Sequence, residues 1–341
     1  MNGSRSGKTT MSELRKDPVV ERWVIIAAER SKRPHANPTT AESDRDEPCP
    51  FCAGREGETP PEVLAYRDPS GTANTPGWRI RVVPNKYPAL ASVGDFSLTA
   101  ASPYHAMSGV GAHEVIIESP RHCLSMAELG ERQVEDVLRA YRERLIVLQN
   151  DQRWKSILIY KNEGSPAGAT LEHVHSQLLA LPLVPREIDQ EWRALVAHHD
   201  ATKRCQYCEM LERERAAGRR IVLESAAFIV FCPFASRFPF ETWLMPKDHA
   251  PFFHTMTKDE LRQLASMLRQ SLQRLAGIVD ASLNYVIHSA PLKEAKREHY
   301  HWHLEILPRL SKIAGFELAS GYYINTVAPE IAAGQLRAVS L

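Results

Sequence analysis

The segment Glu172-His173-Val174-His175-Ser176-Gln177-Leu178-Leu179-Ala180-Leu181-Pro182 has a counterpart near the C-terminus, Glu298-His299-Tyr300-His301-Trp302-His303-Leu304-Glu305-Ile306-Leu307-Pro308. Each sets histidines at alternate positions ahead of an apolar run closed by proline, the pattern of a strand with a polar face at its start. Each is preceded, about 51 residues back to His122 and about 52 back to His249, by a Val/Ile- or Trp/Leu-rich run ending in histidine. Further out lie the apolar runs at residues 79–88 and 227–233. Outermost are Cys49-Pro50-Phe51-Cys52 and Cys205-Gln206-Tyr207-Cys208. Order and spacing preserved together mark an internal duplication.

Between the matched histidines, residues 125–149 and 255–278 carry apolar side chains at helical spacing, as in Val134, Val137, Leu138, Tyr141 and Leu145. Ser125 with Glu128 and Thr257 with Glu260 read as capping boxes that start these helices. The expected fold is therefore α+β, with two tandem halves, each an antiparallel sheet with one long helix. Residues 188–199 read as a helix linking the halves. This divides the chain into a flexible leader at 1–14, an N-terminal domain at 15–185 and a C-terminal domain at 186–341. Residues 37–47 and 67–77 are polar and turn-rich, and are expected to be mobile excursions. Residues 164–168 read as a loop ahead of the first histidine strand.

The 341 residues are 43% hydrophobic and 24% charged with a formal net charge of +1, an ordinary globular balance that argues against a nucleic-acid-binding surface. No apolar run reaches membrane-spanning length. With no apolar signal region at the N-terminus, a cytoplasmic location is expected. Met11 is the expected start. The leader's Gly3-Ser4-Arg5-Ser6-Gly7-Lys8-Thr9 looks like a phosphate-binding loop, but it has one residue too few between its glycines and follows no strand.

Four of the six cysteines form the two Cys-x-x-Cys pairs, which in such a chain point to metal or redox chemistry. Zinc takes four tetrahedral ligands, and a Cys-x-x-Cys pair supplies two from one turn. His122 and His173 complete the set with Cys49 and Cys52. In the second half Cys205, Cys208 and His249 are joined by one of His299, His301 and His303, which share one face of a strand; His301 is the preferred choice. Full protein coordination implies two structural zinc ions per chain. Thioredoxin-type redox chemistry would require a helix starting directly after Cys52, and none is expected there.

His173, His175 and Gln177 occupy one face of a strand, an odd use of core positions unless that face lines a site. A neutral imidazole with one nitrogen fixed by a hydrogen bond presents the other lone pair as a nucleophile towards phosphorus. Gln177 can donate to phosphoryl oxygens but cannot deliver a proton, which suits transfer between phosphates better than hydrolysis. His175 and Gln177 are therefore the candidate catalytic pair.

The combination of Cys-x-x-Cys, Ser119-Pro120-Arg121-His122 and His173-Val174-His175-Ser176-Gln177 resembles galactose-1-phosphate uridylyltransferases, the transferase branch of the histidine-triad superfamily. The resemblance implies two histidine-triad-like halves and a ping-pong reaction. In it the residue matching His175 attacks the α-phosphorus of UDP-glucose, glucose 1-phosphate leaves, and galactose 1-phosphate collects the uridylyl group. It assigns Cys49, Cys52, His122 and His173 to the metal and Gln177 to the uridylyl phosphate. It also points to Arg30 and Arg33 in Arg30-Ser-Lys-Arg33-Pro34 as phosphate contacts, and to Asn85 and Asn162 beside the nucleotide. Glu317 and Tyr323 are placed at the hexose, and a homodimer is implied.

The chain departs from the best-known members at Val174 and Ser176, which replace proline and glycine, and at Tyr323, which replaces a sugar-contacting glutamine. Cys205 and Cys208 replace a glutamate of their iron-type site. A branch with two Cys-x-x-Cys sites includes ADP-glucose phosphorylases, which supply the alternative substrates, an adenine nucleotide sugar and inorganic phosphate. Two further readings, a histidine-triad nucleotide hydrolase and a non-enzymatic zinc module, leave Gln177 or the His175/Gln177 face unexplained.

Overall fold

The computed structural model describes residues 12–16, 23–27, 49–94, 96–279 and 282–341. Arg30, Arg33 and most of the 37–47 excursion's flank, with the excursion itself, lie outside the described residues. In chain order the elements are β1 (Glu13–Lys16), β2 (Trp23–Ile26), β3 (Leu64–Arg67), β4 (Trp78–Pro84), β5 (Leu98–Ala101), β6 (Tyr104–Ser108) and β7 (Ala112–Ile117). Then come α1 (Glu131–Leu148), β8 (Ser156–Glu163), β9 (His175–Leu181), α2 (Arg186–Thr202), α3 (Gln206–Ala217), β10 (Ile221–Glu224), β11 (Phe228–Phe231) and β12 (Thr242–Pro246). The chain closes with α4 (Lys258–Ala276), β13 (Leu283–His288), β14 (His303–Pro308), α5 (Gly315–Ser320) and α6 (Pro329–Ala338).

Ten strands form one antiparallel sheet in the order β10-β11-β12-β14-β13-β8-β9-β7-β4-β3. Read outward from its centre, the first half runs β8, β9, β7, β4, β3 and the second runs β13, β14, β12, β11, β10. The duplication is thus a duplication of topology. The halves join edge to edge, β8 pairing antiparallel with β13 from Ile159↔Ile287 to Glu163↔Leu283. A strand buried at a shared edge leaves no open ladder between the halves. A second, four-stranded sheet, β2-β1-β6-β5, belongs to the first half. Glu13 and Leu14, the last residues of the expected leader, are already in β1, with Leu14 buried.

Strand residues alternate between two faces. One face, with Ile116, Leu178, Ile159, Tyr285, Leu304 and Ile306, packs against α1 and α4 in a core that runs across both halves. Each fully buried Leu in it contributes about 1.5–3 kcal/mol relative to exposure. The two helices also bond to one another's approaches: Arg269 Nε donates to Leu129 O at 2.7 Å and Ser266 Oγ to Glu131 at 2.9 Å. The opposite face carries His175, Gln177 and Tyr160, which the register places side by side: Gln177 stands between Val115 of β7 and Tyr160 of β8.

Both capping boxes form, but they do different work. Thr257 with Glu260 caps α4 directly. Ser125 with Glu128 caps only a 3₁₀ turn, Met126–Glu128, and Leu129 is extended at φ −73° and ψ 146°, so α1 begins later, at Glu131. The apolar spacing continued through this break because Met126 and Leu129 are buried in the same core. The connection after β3, expected from the sequence to be a mobile excursion, is bridged by hydrogen bonds. Arg67 bonds Glu62 at 2.6 Å and the carbonyl oxygens of Thr72 and Thr75. Helix α3, starting directly after Cys205, has no counterpart in the sequence reading.

Candidate active site and metal centres

In the first half, Cys49 Sγ lies 3.5 Å from His173 Nδ1, and Cys52 Sγ lies 3.7 Å from both His173 Nδ1 and His122 Nδ1. In the second half, Cys208 Sγ lies 3.6 Å from His249 Nδ1 and from His301 Nδ1. Each set of four, Cys49/Cys52/His122/His173 and Cys205/Cys208/His249/His301, converges within 4.8 Å. A zinc tetrahedron with bonds of about 2.3 Å to sulfur and about 2.1 Å to nitrogen has an S···N edge of about 3.6 Å. The donors fit. The tautomers fit as well, because His173 Nε2 meets Ser119 O at 2.8 Å, His249 Nε2 meets Glu298 O at 2.7 Å and His301 Nε2 meets Pro246 O at 3.0 Å. A carbonyl can only accept, so Nε2 carries the proton and Nδ1 turns its lone pair to the thiols.

Burial first, with repulsion from His122 and His175, lowers His173 to about 4, so it is neutral and able to ligate at pH 7. Burial first, then the adjacent Cys52, pushes Cys49 up to about 11. Hydrogen bonding from Cys208 first, then from His249 and His301, holds Cys205 far below its ordinary value. A cation between the thiols relieves the cost of ionising both, which is how metal binding and folding become linked.

Two residues beyond His173, His175 is buried, and its Nδ1 lies 2.7 Å from His173 O. The carbonyl makes Nδ1 the protonated nitrogen, leaving the Nε2 lone pair. Phe51, between Cys49 and Cys52, sets its ring edge-on to His175 with centroids 5.3 Å apart. Lys161, almost fully buried, donates to His175 O at 3.0 Å and to Glu118 at 2.6 Å. Beneath the strand, the Tyr141 hydroxyl joins Glu118, Ser176 and Tyr285. The strand bearing His175 thus starts beside the first Cys₂His₂ set and is held by a buried polar network that reaches β13.

A cavity of about 540 Å³ opens in front of His175 and Gln177, bounded by Phe51, Val83, Tyr87 and Leu171, with Asn85 and residues 57–60 on its wall. Arg81, 1% exposed, anchors that wall, bonding Glu62 at 2.9 Å, Thr59 at 2.5 Å and Asn74 at 3.1 Å. The structure therefore brings Asn85, His175 and Gln177 together. It does not bring in Asn162, which accepts from Asn284 at 2.8 Å towards the end of β8. Glu317 accepts from the Ala314 backbone N–H at 3.1 Å, and Tyr323 packs edge-on against Phe238 at 5.6 Å; neither lines the cavity.

The sequence reading missed His113 and Tyr160, both of which touch Gln177. No local pattern marks them, since they come from neighbouring strands. It also missed a third group, Glu191, His288, His303 and Glu305. His303 stands in β14 where His175 stands in β9, with Nδ1 3.3 Å from His301 O. Here aromatic rings cover it: His303 is fully buried, the Trp243 ring stacks on it at 4.7 Å and Tyr207 lies at 5.1 Å. Arg237 pairs with Glu241 and Glu305 beside it.

The sequence profile described as galactose-1-phosphate uridyl transferase, N-terminal domain, matches residues 4–185, and one for a domain of unknown function matches residues 110–338. The chain is 37% identical over 342 residues to the ADP-glucose phosphorylase of Arabidopsis thaliana, covering 96% of this chain and 93% of that protein. To the galactose-1-phosphate uridylyltransferase of Thermotoga maritima it is 28% identical over 337 residues, covering 96% and 98%. Among solved structures it resembles an ADP-glucose phosphorylase from Arabidopsis thaliana with bound ADP-glucose (TM-score 0.75, 35% identity, covering 97% and 100%). It also resembles a uridylyltransferase (TM-score 0.79, 26% identity, covering 96% and 98%). The fold, the duplicated motifs and these relatives agree, and the chain belongs to the galactose-1-phosphate uridyl transferase family.

Proposed function

We propose that the protein is a nucleotidylyltransferase that cleaves a nucleotide sugar through a covalent His175 intermediate. The carrying observation is the 2.7 Å contact of His175 Nδ1 with His173 O, which fixes the tautomer and leaves Nε2 as nucleophile beside Gln177 in the cavity. In the first step the Nε2 lone pair attacks the α-phosphorus, the bond to the bridging oxygen breaks, and the hexose 1-phosphate leaves with its electron pair. In the second step an acceptor phosphate oxygen attacks, the P–N bond breaks, and His175 recovers its lone pair. No leaving group requires a proton, which matches an amide at position 177.

The preferred donor is ADP-glucose with inorganic phosphate as acceptor, supported by the 37% identical phosphorylase and by the two Cys₂His₂ sets. UDP-glucose with galactose 1-phosphate is the second reading, supported by the 28% identical uridylyltransferase. Zinc in both sets, two ions per chain, would have a structural role. We also propose the division after residue 185, which caps α2, and a cytoplasmic location; among the described residues no helix is long and apolar enough to cross a membrane.

A homodimer is proposed because Phe316, Leu318, Tyr322, Tyr323 and Ile324 expose a run of large apolar side chains around Glu317, a surface suited to a second copy. Incubation with ADP-glucose or UDP-glucose labelled at the α-phosphate tests the reaction. Acid-labile, base-stable label on the protein is expected with one of them. Free nucleoside monophosphate without bound label would sink the proposal in favour of hydrolysis.

A further inference from the structure

We propose that His113 is a positioning residue that, with Tyr160, fixes which end of the Gln177 amide faces the phosphoryl group. A glutamine amide has a donor end and an acceptor end of nearly the same shape, and only the donor end stabilises an anionic phosphoryl oxygen. The choice of end therefore has to be made by the protein.

The Ala89 backbone N–H donates to His113 Nδ1 at 3.0 Å. A backbone N–H can do nothing but donate, so Nδ1 is bare and the neutral ring carries its proton on Nε2. That Nε2–H lies 2.9 Å from Gln177 Oε1, and the Tyr160 hydroxyl donates to the same oxygen at 3.0 Å. Both His113 and Gln177 are buried. Turning the amide over would set its NH₂ against the His113 Nε2–H, a donor that cannot accept, and would force the Tyr160 hydroxyl to turn from donor to acceptor, so Oε1 stays against the sheet and the NH₂ faces the cavity. The Asn85 Nδ2 lies 3.2 Å from the same His113 nitrogen, but Asn85 Oδ1 already accepts from the Tyr87 N–H at 2.8 Å. Asn85 thus supplies no competing acceptor, and the Tyr160 oxygen, 3.4 Å from the same nitrogen, is farther than Gln177 Oε1 and donates its own proton to that oxygen, so the ring proton goes to Gln177. The geometry comes from strand register: His113 pairs with Leu179, one step along the same face from the Val115↔Gln177↔Tyr160 row.

This inference rests on the proposed role of Gln177 at the phosphoryl group. The test is single-turnover adduct formation with whichever α-labelled nucleotide sugar labels the wild type, using His113→Leu, His113→Gln, Tyr160→Phe, Gln177→Ala and the His113→Leu/Gln177→Ala double variant, each checked for metal content and melting temperature. His113→Leu should slow adduct formation about 100-fold, the scale of losing one aligned donor, with little change in KM. His113→Gln, whose amide nitrogen can replace Nε2–H, should recover to within about ten-fold of wild type. Tyr160→Phe, which loses only a hydroxyl, should slow it less. In the double variant, loss of His113 should add nothing to Gln177→Ala. A normal rate in His113→Leu, no recovery in His113→Gln, or additive losses would overturn the positioning role. A normal rate in Gln177→Ala would instead overturn the role of Gln177 itself, and this inference with it.

Discussion

At the residue scale, the division of labour proposed for His173 and His175 rests on which nitrogen each carbonyl claims. Ser119 O takes Nε2 of His173 and leaves Nδ1 for a metal, whereas His173 O takes Nδ1 of His175 and leaves Nε2 for phosphorus. His175→Ala should therefore reduce turnover by about four orders of magnitude or more and abolish the adduct, while elemental analysis finds the metal content unchanged. Substantial turnover without an adduct would exclude His175 as nucleophile. His288 allows a pH test in the second half. Burial alone would lower it, but the Glu191 and Glu305 carboxylates and the Glu191 hydrogen bond push it up to about 9. A folded value above the unfolded one of about 6.5 means that its stabilisation is complete below pH ~6.5 and is lost as the pH rises through about 9, by at most about 3 kcal/mol. Urea unfolding across that window should show a steeper loss of stability for the wild type than for His288→Gln; parallel curves would refute it. The neighbouring charges on Arg237 and Glu305 remain in both proteins.

At the scale of elements, similar sequence signals gave unequal structures. The Thr257–Glu260 box satisfies backbone donors of the 19-residue helix α4, so Thr257→Ala should destabilise the protein by about 1 kcal/mol, read as a lower urea midpoint at unchanged slope. No shift in midpoint would show that the cap contributes nothing. The Ser125–Glu128 box serves a single 3₁₀ turn, and Ser125 Oγ also donates to Glu163 at 2.6 Å. It pins the turn to β8 rather than starting α1. The pairing of β8 with β13 gives the two halves one ladder and one helix-covered core.

Across the whole molecule, the duplication keeps a Cys₂His₂ set in both halves, whereas the cavity in front of His175 and Gln177 belongs to the first and the matching His303 is covered by Trp243. Carefully purified protein should contain about two zinc ions per chain, and a strong chelator should lower its melting temperature, because structural zinc is linked to folding. Elemental analysis finding one ion or none would remove at least one site. The exposed apolar run around α5 predicts a dimer in sedimentation experiments. Leu318→Glu, at a residue 78% exposed, should shift it towards monomer without altering the melting temperature of the monomeric fraction. A wild-type monomer at every accessible concentration would refute the interface.

The amino-acid sequence by itself determined the duplication, the α+β class, the Cys49/Cys52/His122/His173 set, three of the four members of the second set and the candidate His175/Gln177 pair. All of these are local patterns, or repeats of them, written in residue type and spacing. The choice of His301 needed the tertiary structure. His299, His301 and His303 share one expected strand face, but alternate residues are about 6.6 Å apart along an extended chain, so only one can close the second thiol set. His301 Nδ1 is the one at 3.6 Å from Cys208, while His303 lies under the Trp243 ring. His113 and Tyr160 were illegible for a related reason. They meet Gln177 only through the hydrogen-bonded register of β7 and β8 on either side of β9, and register between strands distant in sequence is set by packing of the whole sheet, not by the residues that flank each position.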